Sequence, residues 1–248
     1  MKKSNAIRLI RPLALFGLLA TRMFTAVADG PLVSLTMSDL SEFRPVAENW
    51  RVAGEVTVDR SGPKLMSGSS GEGILVCSPT ETAKDNLFTK LEHGDIELDL
   101  EVMVPVSSNS GLYFQGRYEI QILDSWGTQK LRHADIGGIY QRWDPARGKG
   151  KEGYEGHPPR LNAARAPGEW QRFKIRFRAP RFDEAGNKTA HARFESVWLN
   201  GSLLHENVEV TGPTRSSPFE SEVERGPLMI QGDHGPVALR NARYTLLN

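Results

Sequence analysis

A phenol, two amides, a guanidinium and a carboxylate occupy alternate positions within Asn109 to Gly127 (NSGLYFQGRYEIQILDSWG). As one β-strand, whose side chains alternate between faces with a period of two, the segment puts Tyr113, Gln115, Arg117, Glu119 and Gln121 on one side. Phe114, Tyr118, Ile120 and Ile122 fall on the other. The polar row makes a poor core and a good floor for a polar ligand; the apolar face suits packing on a second sheet. Asp124 follows Gln121 at a spacing of three, so it joins Glu119 only if the strand bulges near Ile122 and Leu123. With that bulge the two carboxyls lie on one face as a pair. The plain alternative is a Glu119–Arg117 ion pair on an exposed face.

A second polar group lies near the C-terminus at Gln231-Gly232-Asp233-His234-Gly235. Gln231 and Asp233 share a strand face, and the glycines let backbone approach a ligand closely. His234 in this turn is either an acid–base group or a structural hydrogen-bonder, and Asp233 either meets the ligand or caps the turn. Tyr113, Trp126, Tyr140 and Trp143 are candidate platforms for a sugar ring, whereas Trp50, Trp170 and Trp198 read as core. Asn162, in the phrase LNAARAPGEW, either positions a hydroxyl or sets a turn. Glu119, Asp124, Asp233 and His234 have the donor chemistry for a divalent cation, which stays open. No ligand loop of known spacing appears, no metal site is assigned and no cofactor is indicated.

These groups must be carried by strands, because strand signals run through almost the whole chain. Trp50–Asp59, Gly73–Cys77, Asp95–Val104, Trp170–Arg178, Ala192–Leu199, Leu203–Val210, Pro227–Gln231 and Val237–Leu246 have the alternation or the short apolar run of strands. In Asp95–Val104 the acids Asp95, Glu97, Asp99 and Glu101 fall on one face, expected to be solvated. Asn200-Gly201 marks a tight hairpin and Asp183–Thr189 a second hairpin tip. Glu81–Leu91 has room for a turn or a short helix at most. Residues 142–167 and 212–226 form two long loops of the kind that often carries function. Many strands and no long helix predict an all-β, two-sheet antiparallel sandwich.

Residues 1–28 stand apart. Lys2, Lys3, Arg8 and Arg11 precede the apolar run Leu13–Ala20, and Ala26-Val27-Ala28 supplies a small-x-small cleavage pattern. This is the pattern of a secretory signal peptide; the run is far shorter than the roughly 20 residues a membrane span requires. The expected organisation is a leader at 1–28 and a single domain at 29–248, exported to the periplasm or the exterior. The whole chain has a formal net charge of +1; without the leader's five basic residues, 26 basic face 30 acidic residues, a net charge of −4. No basic tract is present, which argues against nucleic acid as a partner. The single cysteine, Cys77, sits in a buried-type strand and cannot form an internal disulfide, so stability must come from a packed core.

Two resemblances attach to these residues. The pattern Glu119-x-Gln121-x-x-Asp124 resembles the E-x-D-x-x-E strand of jelly-roll β-glucanases, with an amide in place of the central acid and a shorter final carboxylate. More broadly, NSGLYFQGRYEIQILDSWG, GGIYQRW, NAARAPGEWQRFKI, VWLNG and GPLMIQGDHGPVALRNARY occur in the order found in the 3-keto-disaccharide hydrolase family. The resemblance spans Leu35 to Leu246 and implies the concanavalin A-like lectin/glucanase jelly roll. It implies a carbohydrate substrate whose C3 ketone acidifies the C2 proton, so that elimination and rehydration cleave the glycosidic bond. Such chemistry needs a base, a group to steady the enolate and an acid for the leaving group. The resemblance implies Glu119 as base, Asp124 or His234 as proton donor, and Arg117 and Gln121 at the enolate or sugar hydroxyls. The fold equally serves lectins and ordinary glucanases, so a non-catalytic sugar-binding domain and a glucanase acting on unoxidised sugar remain the alternatives.

Overall fold

In a computed structural model the chain is described for residues 29–248; the expected leader lies outside the described residues. In chain order the strands are β1 (Val33–Ser34), β2 (Trp50–Val58), β3 (Met66–Cys77), β4 (Leu87–His93) and β5 (Ile96–Met103). Next come β6 (Asn109–Phe114), β7 (Tyr118–Leu123), β8 (Arg142–Trp143), β9 (Gly153–Tyr154) and β10 (Gln171–Arg178). The last are β11 (Arg181–Phe182), β12 (Lys188–Ala190), β13 (Ala192–Leu199), β14 (Ser202–Val210), β15 (Gly226–Ile230) and β16 (Val237–Leu246). The large sheet runs β14-β13-β10-β5-β16-β3-β2, with β1 also on β16; the smaller sheet runs β4-β15-β6-β7. The pairs are antiparallel, giving the expected all-β jelly-roll sandwich.

Alternation builds the core. Ile96, Leu98, Leu100 and Val102 of β5 point inward with Phe173, Ile175 and Phe177 of β10. They meet Leu112, Phe114, Tyr118, Ile120 and Ile122 from β6 and β7. Phe177 lies at the centre of an aromatic cluster, its ring 5.0 Å from Phe114, 5.2 Å from Phe194 and 5.4 Å from Tyr118. Asn200 (φ 51°) and Gly201 (φ 84°) form the predicted hairpin between β13 and β14.

Four sequence expectations change. The segment beginning at Asn109 is two strands, reversed at Gln115 (φ 54°) and Gly116 (φ 65°), both in the left-handed conformation of a tight primed turn. Three residues separate β6 from β7, an odd number, so Tyr113, Glu119 and Gln121 still share a face after the reversal. The Glu81–Leu91 segment contributes to a strand: Leu87, Thr89 and His93 turn inward and β4 pairs with β15. Trp198 is 37% exposed rather than core. The acidic face of β5 carries ion pairs: Arg172 reaches Asp99 at 2.5 Å, Arg240 reaches Glu101 at 2.7 Å and Lys174 reaches Glu97 at 3.0 Å. Asp95 is buried. Burial pushes its pKa up, but hydrogen bonds from Arg181, Arg178 and the Ala179 amide outweigh it and leave the pKa lowered.

Phe177→Ala removes the central ring of the cluster, and a buried Phe-to-Ala change costs about 3–5 kcal/mol. The urea midpoint should fall accordingly with an unchanged slope, measured by intrinsic fluorescence.

Candidate active site

Two rows of residues cross the face of the smaller sheet that points away from the core. Register places Met229, Tyr113, Glu119 and Tyr140 in one row. Gln231, Gly111, Gln121 and Gly138 form the next, with Tyr140 and Gly138 supplied by a segment bridged to β7 through Ile139. The second row has side chains only at Gln231 and Gln121, and this opens a hollow beside Glu119. Gly111 cannot be larger, since a Cβ there would collide with the Glu119 carboxylate and the Tyr113 ring. The hollow has a volume of about 240 Å³. Asn109, Tyr140, Arg215, Ser216 and His234 complete its wall around Tyr113, Glu119 and the two glutamines.

Glu119 is 2% exposed and its pKa is pushed up to about 8. Burial is the main cause; a hydrogen bond from the Tyr113 phenol opposes it, and the charge of Asp233 adds to it. The Tyr113 phenol is itself raised, by burial first and then by Glu119. Gln121 donates through Nε2 to Asn109 Oδ1 at 2.5 Å. The Gln121 Oε1 and Gln231 Oε1 atoms are buried without a hydrogen-bond partner among the described residues. Buried acceptors are nearly always satisfied in folded proteins, so two of them at one hollow point to a ligand with hydroxyl donors.

His234 stands on the turn between β15 and β16, with Nδ1 2.6 Å from Asp233 Oδ1 and 3.1 Å from Gln231 Nε2. A proton on Nδ1 shared with the carboxylate leaves Nε2 as the nitrogen free for proton transfer. The turn is pinned from several sides. Gly232 accepts from Asn49 Nδ2 at 3.2 Å and donates its amide to Asn86 Oδ1 at 2.9 Å. Ser108 Oγ donates to the Pro236 carbonyl at 2.6 Å, and Lys64 Nζ to the His234 carbonyl at 2.7 Å.

Of the residues singled out in the sequence, the hollow brings together Tyr113, Glu119, Gln121, Tyr140, Gln231 and His234, with Asp233 bonded to the histidine. The others go elsewhere. β7 pairs without a bulge, and Asp124 Oδ2 accepts instead from the Ser107 amide at 2.9 Å, so it serves a turn. Gln115 is buried at the hairpin tip, its Nε2 donating to the carbonyls of His93 and Glu224. Arg117 donates to the carbonyls of Ser221 and Gln115 and lies 4.8 Å from the Phe219 ring. Its own carbonyl accepts from the Thr214 amide and hydroxyl, so Arg117 anchors the 212–226 loop. Asn162 Nδ2 holds the carbonyls of Ser125 and Thr128, and Trp126, 62% exposed, lines a separate cleft with it. Trp143 lines a cleft next to the hollow. Among the described residues no group of three or more His, Cys, Asp or Glu side chains is placed to hold a metal ion.

Three lining residues carried no sequence signal of their own. Asn109 opens the phrase NSGLYFQGRYEIQILDSWG but had no role in it, and Ser216 belongs to no motif. Arg215 is the guanidinium of the hollow, and only the length of its loop drew attention to it. Its Cζ lies 3.8 Å from the centre of the Trp143 ring, and it makes no ion pair among the described residues.

The two antiparallel sheets form a sandwich with a polar, carboxyl-centred hollow on the smaller sheet. The chain belongs to the family of the 3-keto-alpha-glucoside-1,2-lyase-like domain, whose model matches residues 38–245. This places it among carbohydrate-active proteins. Two solved structures from Parabacteroides distasonis ATCC 8503, each provisionally named a glycosyl hydrolase, share the fold. One is 22% identical with a TM-score of 0.53, the alignment covering 96% of this chain and 100% of that one. The other is 19% identical with a TM-score of 0.54, covering 88% of this chain and 100% of that one. No curated protein matches the sequence. Among the described residues no helix is long and apolar enough to cross a membrane.

The raised Glu119 pKa is also a statement about stability. Between the ordinary value of 4.5 and about 8 the unfolded chain releases this proton while the folded protein keeps it, so the group costs stability as pH rises through that window. The slope is roughly 1.4 kcal/mol per pH unit. Glu119→Gln should therefore gain stability over wild type progressively from pH 5 to pH 8 in urea melts, with the two proteins converging at low pH.

Proposed function

We propose that the protein cleaves 3-keto-glycosides, with Glu119 as base and His234 as acid. The observation that carries this reading is a single buried carboxyl of raised pKa in a hollow also lined by two glutamines whose buried amide oxygens have no partner among the described residues. Glu119 removes the C2 proton, and the electron pair moves onto the C3 oxygen as an enolate. The enolate then collapses to a C1=C2 bond, the C1–O bond breaks, and the departing oxygen takes a proton from His234. Water next adds to C1 and gives a proton to His234, while Glu119 returns its proton to C2. The sum is hydrolysis of one glycosidic bond; stopping before hydration makes the same first half a lyase reaction. Gln121 and Gln231 accept hydroxyls of the sugar, and Arg215 takes the cationic role first assigned to Arg117.

The ordinary glucanase alternative needs a second carboxyl as nucleophile or acid. Asp124 is committed to a turn and Asp233 to His234, which weakens that reading. A purely lectin-like role leaves the cost of burying Glu119 without a purpose.

The test is incubation with a 3-keto-disaccharide and its unoxidised parent. Only the oxidised sugar should be cleaved, with deuterium appearing at C2 of the product in D2O. kcat/KM should follow a bell-shaped pH profile, rising about tenfold per pH unit on the acid limb as the base ionises and falling at high pH as His234 loses the proton it gives the leaving group. Glu119→Gln should lower kcat by roughly 10²–10⁴. Binding of both sugars with cleavage of neither would leave a lectin, and cleavage of the parent alone a glucanase.

The leader pattern supports export of the same protein. Expression in a bacterium should place it outside the cytoplasm with Asp29 as its first residue, read by N-terminal sequencing; a retained Met1 would refute export.

A further inference from the structure

We propose that the cleft built on Trp143, Pro213, Arg215 and Phe219 is the leaving-group subsite, shaped for an aromatic aglycone. The inference rests on the catalytic reading of the Glu119 hollow. The cleft has a volume of about 440 Å³ and shares Arg215 and Ser216 with the hollow, so a glycoside seated on Glu119 has its bond to the leaving group directed along this wall. Its polar groups are mostly used up. The Thr214 hydroxyl goes to the Arg117 carbonyl, the Ser217 hydroxyl to backbone at Gly116 and Phe219, and Arg142 to Thr211 and Glu155. Besides the exposed Ser216 and Glu220 and a buried Arg142 Nε without a partner among the described residues, what the cleft offers a ligand is stacking area and the Arg215 cation.

Trp143 is 39% exposed, and the Cζ of the Arg215 guanidinium lies over its ring, 3.8 Å from the centre. A guanidinium backed by an indole keeps a planar face on which a further ring can stack, worth about 0.5–2 kcal/mol depending on desolvation. The same guanidinium sits where hollow and cleft meet, so it also faces the oxygen that gains negative charge as the C1–O bond breaks. A phenolic leaving group fits both features, with a flat ring for the stack and a charge-accepting oxygen for the cation. Glu220, exposed on the rim, disfavours an anionic aglycone. Sugar identity is thus read in the hollow through hydrogen bonds, and the aglycone in the cleft through ring stacking.

The test uses the Glu119→Gln protein, in which ligand stays intact, and calorimetric titration with methyl and phenyl 3-keto-glucosides of one anomer. The phenyl compound should bind at least fivefold more tightly. Trp143→Ala in the same background should erase that preference, and Trp143→Phe should restore part of it. Equal affinity for the two compounds, or a phenyl preference untouched by Trp143→Ala, overturns the subsite and leaves the catalytic reading standing. Failure of both compounds to bind overturns the catalytic reading and the subsite with it.

Discussion

The site depends on a carboxyl that is almost entirely buried at the wall of the hollow. Glu119 is kept in the sheet by the apolar packing of its neighbours Tyr118 and Ile120 on the other face, and it has room only because position 111 lacks a side chain. Tyr113, directly opposite on β6, supplies the hydrogen bond that keeps the buried acid from being wholly unpaired. Strand pairing thus sets the buried carboxyl, its hydrogen-bond donor and the glycine gap in one act. Sliding β6 by one residue would bring Leu112 to the hollow and bury Tyr113, so the register of a single hairpin fixes the chemistry.

Around this centre, charged residues divide into those that build and those that face the ligand. Arg117 and Arg215 illustrate the division. Arg117 is buried, spends its donors on backbone carbonyls and accepts from Thr214, and so fixes the loop at the residue immediately before Arg215. Arg215 is exposed, backed by Trp143 and uncommitted. The sequence-level expectation put the cation on the strand; the structure puts an anchor there and offers the cation on the loop that the anchor holds. The two residues are energetically linked, since a loosened Arg117 would also loosen the wall of the hollow.

Much of the architecture was legible because period-two alternation is strong wherever one face is buried. Ile96 to Val102 and Phe173 to Phe177 read as strands without ambiguity. The reversal at Gln115-Gly116 was missed because Gln is a poor marker of a primed turn, in contrast to Asn200-Gly201. Yet the face assignment of Tyr113, Glu119 and Gln121 survived, since a three-residue turn conserves parity. Asp124 was misplaced for a local reason: it lies just past the end of β7, where its side chain finds the Ser107 amide. Arg215 and Asn109 were invisible because nothing in their spacing reports the cross-chain proximity that register and loop anchoring create.

The choice of amides over acids in the hollow has an electrostatic logic. An oxocarbenium-like transition state gains positive charge, and carboxylates around it help. An enolate gains negative charge, and a second free carboxylate beside it would oppose the reaction while driving the Glu119 pKa still higher. In the proposed reaction Gln121 and Gln231 would accept hydroxyls without adding charge, Asp233 is shared with His234, and Arg215 is a cation on the wall without an ion pair among the described residues. The sign of the charge such a site tolerates supports the proposed proton-abstraction route. An acid at position 121 would add a like charge two residues along the strand from the base, which is why that amide discriminates between the two mechanisms better than any other side chain on β7.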